Sequence, residues 1–219
     1  MPLNPAIARR AQNHWPLVTG LGALVLGVAL GVIIAARGNG ALRLDLAWMR
    51  EVVEHRSPFW DVPARVMNVV GGTAFTTLVA VVIVVVLLLV QRRWTSLYVA
   101  AAFLGSNLVV QLLKLILSRA RPQDILVSIQ SGSFPSGHVA NAATLAVVMA
   151  VIFWRWWVIA AGAAYVLLMA LSRTYLGAHW VSDTVGGLLI GAAIAIIVWA
   201  PFAQRVLSER GTDAVASKP

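Results

Sequence analysis

Three short stretches concentrate the residues able to do chemistry. The first, KLILSRARP, holds Lys114, Arg121 and Pro122; the second is Phe134-Pro135-Ser136-Gly137-His138; the third runs from Ser172 to Asp183 and contains Arg173, His179 and Asp183. The residues singled out offer three cations (Lys114, Arg121 and Arg173), two imidazoles, one carboxylate and a Ser-Gly turn. Guanidinium groups clamp a phosphoryl group through paired hydrogen bonds and balance the charge that spreads over its oxygens during transfer. Backbone N–H groups at Ser136 and Gly137, opening a helix, would add fixed donors for the same anion. One neutral histidine can attack phosphorus, and a second can protonate the leaving oxygen. His179 and Asp183 stand at i and i+4, a spacing at which the carboxylate can keep one ring nitrogen protonated and leave the other free.

Taken singly, each stretch has an ordinary explanation. Lys114 near a span end can snorkel, Arg121-Pro122 is a turn, Pro135-Ser136-Gly137 is a helix N-cap, and His179 with Asp183 is a satisfied buried pair. The elements that carry them decide otherwise. Of 219 residues, 60% are hydrophobic and 11% charged, which excludes an ordinary water-soluble globule. At about 20 apolar residues per span, the expected architecture is all-α and membrane-embedded, a single domain over 1–219. Its six transmembrane helices fall near 15–36, 69–90, 96–117, 136–155, 156–175 and 181–203, with a C-terminal tail over 204–219. The first is too long for a signal-peptide core and lacks a cleavage pattern, so it is kept as a span. Between spans 1 and 2, Leu42, Leu46, Met49 and Val53 recur at helical spacing opposite Arg43, Arg50 and Glu54, which predicts an interfacial amphipathic helix. With this count, the end of span 3, the start of span 4 and the link from span 5 to span 6 share one membrane face. The three clusters can therefore meet.

The net charge of +9 comes from 17 Lys and Arg against 8 Asp and Glu, scattered between apolar blocks. That pattern argues against nucleic acid and for phosphorylated lipids and anionic headgroups in a bilayer. With no cysteine, a disulfide framework and a thiol nucleophile are excluded. Trp94, Trp154, Trp156, Trp157 and Trp180 sit at expected span ends as interface anchors. Gly27/Gly31 and Gly187/Gly191 have the spacing for close helix approach; they permit a homodimer, which nothing in the sequence requires. Lys114 apart, the Lys and Arg residues divide eight and eight between the two faces, so counting does not orient the chain. Arg9, Arg10, Arg92 and Arg93 hug span ends, which favours a plasma-membrane protein with both termini cytoplasmic and the clusters on the outer face.

The residues resemble the type 2 phosphatidic acid phosphatases, a family of lipid phosphate phosphatases, whose pattern K-x6-R-P, P-S-G-H and S-R-x5-H-x3-D is matched by Lys114 to Pro122, Pro135 to His138 and Ser172 to Asp183. The resemblance implies that His179 is the nucleophile forming a phosphohistidine, that Asp183 orients it, and that His138 is the general acid and then the base. It assigns phosphate binding to Lys114, Arg121, Ser136, Gly137 and Arg173, with no metal and no cofactor. The clusters agree in offering one carboxylate and no Asp/Glu-rich cation site.

The expected reaction is metal-independent hydrolysis of a lipid phosphate or diphosphate. Undecaprenyl diphosphate to undecaprenyl phosphate comes first, as in the smaller bacterial members this chain looks like. Phosphatidic acid and phosphatidylglycerol phosphate are the alternatives. The segment from Arg37 to Gly72, with Phe59 and Trp60, is expected to shape the lipid entrance. A carrier or flippase of phosphorylated lipids is a second class, disfavoured because no internal repeat is present and a carrier has no use for two histidines and a carboxylate.

Overall fold

The computed structural model describes residues 5–127 and 131–216, with side chains over 15–127 and 131–209. Among the described residues there are eight helices and no strand: α1 (Pro5–Ala36), α2 (Arg43–Glu54), α3 (Pro58–Val70), α4 (Thr73–Leu89), α5 (Arg93–Leu117), α6 (Gly137–Phe153), α7 (Trp156–Tyr175) and α8 (Val181–Ala216). Four are long and apolar enough to cross a bilayer: α1 from Trp15, α5, α7, and α8 as far as Glu209. A fifth span results if α3 and α4 count as one, although they are bent by 52°.

By length and composition the described helices thus give four spans, or five with the bent pair, where six were expected. The expected span 2, residues 69–90, breaks at Gly71-Gly72, where Gly72 takes up extended backbone (φ −63°, ψ 152°) ahead of α4. The expected span 4, residues 136–155, is α6, an apolar helix of 17 residues. At about 1.5 Å per residue it is about 26 Å long, short of a hydrocarbon layer of about 30 Å. It ends because Trp154 turns left-handed (φ 52°, ψ 42°) and starts the turn into α7. The residues expected to form a C-terminal tail instead continue α8 to Ala216. The side chains of Arg9, Arg10, Arg210 and Lys218, used in the charge tally, lie outside the described residues.

α8 is the axis of the bundle, packing against α1, α5 and α6, while α7 lies on α6 and α3 on α7. Small residues set these approaches, as van der Waals packing requires where the surroundings are as apolar as the side chains. A Cβ on Gly187 would lie 2.4 Å from the Ser136 carbonyl oxygen, and one on Gly191 would lie 2.3 Å from that of Ala140. Both glycines thus hold the start of α6 against α8. Gly27 and Gly31 face Ile190 and Phe134 within the same chain. Leu104, Leu108, Leu115 and Ile116 on α5 are exposed, as suits a surface turned to lipid.

A helix does follow the first span, but its inward face differs from the expected one. Asp45 and Met49 are the buried residues of α2, whereas Leu46 and Val53 are exposed. An aspartate is drawn inward because buried donors from elsewhere in the chain meet it.

Candidate active site

The ends of α5 and α7 and the starts of α6 and α8 converge, and they bring all eight site residues read from the sequence into one cluster. α5 stops at Ser118, which is left-handed (φ 44°, ψ 38°). Lys114 in its last turn donates to the Gly132 carbonyl at 2.7 Å. Beyond it, Arg121 donates from Nε to the Ser131 carbonyl at 3.0 Å and from Nη2 to Gly132 O at 3.1 Å. Its Nη1 donates to the Ala178 carbonyl and stands 3.3 Å from His179 Nε2. A guanidinium only donates, so Nε2 presents its lone pair and the ring proton sits on Nδ1.

That Nδ1 faces Asp183 Oδ2 at 3.5 Å, an ion-pair distance without an aligned hydrogen bond. Catalytic contacts of this kind tighten when substrate binds. The loop carrying His179 is fixed by the backbone: Ala178 N donates to Arg173 O at 3.0 Å, and Gly177 (φ +65°) lies so close to the Asp124 carbonyl that a Cβ would meet it at 2.3 Å. His179 is 2% exposed. Burial, then the nearby charges of Arg121, Arg173 and Lys114, hold its imidazole well below the ordinary histidine range. It is neutral at neutral pH.

Arg173, at the end of α7, is fully buried and donates from Nη1 to Asn68 Oδ1. Its Nε and Nη2 have no partner, and neither has the buried hydroxyl of Ser136. Such unmatched buried donors are uncommon in proteins and need an acceptor. Ser136 does not act as sequence suggested: its hydroxyl caps nothing, and its backbone N–H, expected to bind anion, donates to the Asp183 carbonyl at 3.0 Å. Only the hydroxyl is left for a ligand. Gly137 opens α6 behind it. His138 Nε2 lies 3.1 Å from the Asn68 carbonyl; since a carbonyl only accepts, Nε2 is protonated and Nδ1 is the free nitrogen. The α3–α4 break presses on this ring, since a Cβ on Gly71 would meet His138 Cδ2 at 3.0 Å.

Four polar residues in and around the cluster were missed from sequence. Asn68 gives no signal, lying in an apolar run. Arg119, counted there as a topology charge, is 1% exposed and donates to Asp183 Oδ1 at 2.6 Å, to Asp45 Oδ2 at 2.8 Å and to Ser182 Oγ at 2.8 Å. Its spacing from Arg121 gave no signal, since side chains two residues apart on extended backbone share a face. Asp45 and Ser182 complete this second network. Trp180, expected as an interface anchor, is tied into the site: its indole N–H donates to the Ala120 carbonyl at 2.9 Å and its backbone N–H to Asp183 Oδ2 at 2.9 Å.

Beside the cluster an apolar cavity of about 590 Å³ runs between α6, α7 and α8 under α2, lined by Leu44, Trp48, Val139, Ala163, Thr174 and Val185 among others. Phe59 and Trp60, expected at the lipid entrance, are exposed on α3 in edge-to-face contact and do not line it.

Residues 94–206, more than half of the chain, match the PAP2 superfamily. The chain belongs to that superfamily. Among PAP2 relatives it is 28% identical over 176 residues to phosphatidylglycerophosphatase B of Bacillus subtilis, covering 75% of this chain and 86% of that one. A lipid A 1-phosphatase of Rhizobium johnstonii is 31% identical over 51% of this chain and 49% of its own. An undecaprenyl-diphosphatase of Sulfolobus acidocaldarius is 35% identical over 66 residues, 30% of this chain and 31% of its own. The crystal structure of the PAP2-type phosphatidylglycerolphosphate phosphatase of Bacillus subtilis superposes with a TM-score of 0.75 at 24% identity, covering 85% of this chain and 96% of that one. Aquifex aeolicus LpxE superposes with a TM-score of 0.63 at 26% identity, over 72% of this chain and 95% of its own. As a PAP2 member with membrane-spanning helices and phosphatase relatives, the chain is a lipid phosphatase.

Proposed function

We propose that the protein hydrolyses a phosphate monoester of a membrane glycerophospholipid through a phosphohistidine at His179, with phosphatidylglycerol phosphate the first candidate. The observation that carries this is the pairing of a buried neutral imidazole, whose Nε2 lone pair faces Arg121 at 3.3 Å, with buried donors on Arg173 and Ser136 that lack any acceptor in the protein. Phosphoryl oxygens supply those acceptors, and Lys114 and Arg121 add charge. His138 Nδ1, the free nitrogen, takes up the proton that the phosphate monoester carries into the site and gives it to the departing alkoxide of the lipid as His179 Nε2 attacks phosphorus. His138, now neutral, takes a proton from water as the water oxygen attacks phosphorus, and the N–P bond breaks to restore His179 and free phosphate. Asp183 offsets the positive charge on His179 while it is phosphorylated. No metal is required by this donor set, because both Asp183 oxygens already accept protein hydrogen bonds.

The apolar cavity fits a lipid tail, since it abuts the cluster at Thr174 and Thr184 and is otherwise lined almost wholly by hydrocarbon. For the headgroup, the relative matched over 86% of its length is named for phosphatidylglycerophosphate. A second reading, undecaprenyl diphosphate, has a likeness to an undecaprenyl-diphosphatase behind it, over 31% of that protein. We place the site on the outer face of the plasma membrane.

Phosphate release by the detergent-purified protein with EDTA present decides between them, with phosphatidylglycerol phosphate, phosphatidic acid and undecaprenyl diphosphate run in parallel. The expected result is highest kcat/KM for phosphatidylglycerol phosphate and none for His179→Ala, which still binds vanadate. Full activity in His179→Ala removes the nucleophile assignment, and release that stops with EDTA removes the metal-independent one.

A further inference from the structure

We propose that Asp45 and Arg119 are positioning residues for the reaction: through Arg119 they hold Asp183 Oδ1, so that Oδ2 is the oxygen presented to His179, and they thereby tie α2 to the nucleophile. The inference rests on His179 being that nucleophile. A carboxylate held at one oxygen swings about its last torsion. Asp183 is held at both, by Arg119 Nη1 at 2.6 Å on Oδ1 and by the Trp180 N–H at 2.9 Å on Oδ2. Arg119 cannot swing either, because Nη2 donates to Asp45 Oδ2 at 2.8 Å and to the Gly40 carbonyl at 3.0 Å.

Asp45 acts on the other side as well. Its Oδ1 accepts the Ser182 N–H at 2.9 Å and its Oδ2 the Ser182 hydroxyl at 2.7 Å, so it fixes the residue preceding Asp183. Its Oδ2 also takes the Leu42 N–H at 2.9 Å, which anchors the start of α2. Two carboxylates share one guanidinium, all three side chains being at most 1% exposed. One negative charge is therefore left uncompensated on the Nδ1 side of His179, opposite the cations on the Nε2 side. That charge favours the ring protonated at Nδ1 and free at Nε2, and it stabilises the positive phosphohistidine. A helix merely docked on the bundle has no need of a buried carboxylate linked to the reacting ring through Arg119 and Asp183.

The test is a double-mutant cycle of Asp45→Asn and Asp183→Asn, read by kcat and KM on phosphatidylglycerol phosphate and by ¹⁵N spectra of histidine-labelled protein in detergent. His179→Ala identifies the relevant signal among the four histidines. Expected are a fall in kcat of about tenfold or more, the scale seen for outer groups that orient a working histidine, a KM within about twofold, and a shift of His179 from one tautomer to a mixture. In the Asp183→Asn background, Asp45→Asn then costs less than about twofold further and leaves the spectrum unchanged. Equal losses in both backgrounds, or an unaltered His179 tautomer in Asp45→Asn, overturn the proposal. If Asp45→Asn does not fold, Arg119→Lys, which keeps the charge but loses the planar fork that fixes both carboxylates, enters the same cycle with the same outcomes. Wild-type protein with a single fixed His179 tautomer and no phosphate release overturns the hydrolytic reading instead.

Discussion

Between Arg121 and Asp183, His179 has its two ring nitrogens told apart by what each faces, and the pH behaviour of the folded state follows. Its folded pKa lies well below the unfolded value of about 6.5. Below about pH 6.5 the unfolded chain takes up a proton that the folded chain does not, so stability is full above that pH and is lost as pH falls towards the folded value. We expect the apparent Tm in detergent to drop between pH 7.5 and 5, and to drop less in His179→Ala; equal drops would show that His179 carries no such linkage. Arg121 fills its fork with the carbonyls of Ser131, Gly132 and Ala178. Arg121→Lys keeps the charge but not that geometry, and should lower kcat/KM by about ten- to a hundredfold, the worth of one charge-assisted hydrogen bond. Steady-state kinetics beside wild type measure it. That these residues belong to one cluster was legible from residue types and spacing. The hydrogen-bond duties of Ser136 were not, because whether a backbone N–H is free depends on what the fold places beside it.

At the scale of elements, the helices carrying the motifs were readable because long apolar runs have few alternatives in a bilayer. Their ends were less so. Glu209, in a segment read as tail, lies on α8 and accepts hydrogen bonds from the backbone N–H groups of Trp94 and Thr95 and from the Thr95 hydroxyl at 2.7–3.0 Å, capping α5. Arg205, one turn earlier, lies 3.8 Å over the Trp94 ring. We expect Glu209→Ala to cost about 1–2 kcal/mol, the usual worth of a cap, in denaturant titrations, with kcat/KM unchanged; an undiminished midpoint would mean that the cap carries no stability. The sequence hides it because the two partners are more than a hundred residues apart. The break at Gly71-Gly72 was visible as glycines and was read through, since only the approach of Met169 and His138 makes it necessary.

For the whole molecule, the cavity between α6, α7 and α8 and the orientation of the bundle are the untested quantities. Ala163→Trp, filling the cavity, should raise KM for a long-chain lipid phosphate several-fold while leaving hydrolysis of a short-chain soluble analogue unchanged; equal effects on both would place the tail elsewhere. Because the chain has no cysteine, single substitutions report sidedness directly. An impermeant maleimide should label Arg37→Cys but not Gln91→Cys in intact cells, and the reverse pattern would put the site inside. The sequence by itself determined which residues gather in the candidate site and the apolar helices that carry them, because residue chemistry and the cost of polar backbone in lipid are local constraints. Only the tertiary structure decided that Arg119 faces inward while Arg121 faces the histidine, that α2 buries Asp45 instead of its leucine stripe, and that Asn68 joins two site residues. Each of those choices depends on which buried donor meets which acceptor across long stretches of chain, and pairing of that kind leaves no periodicity to read.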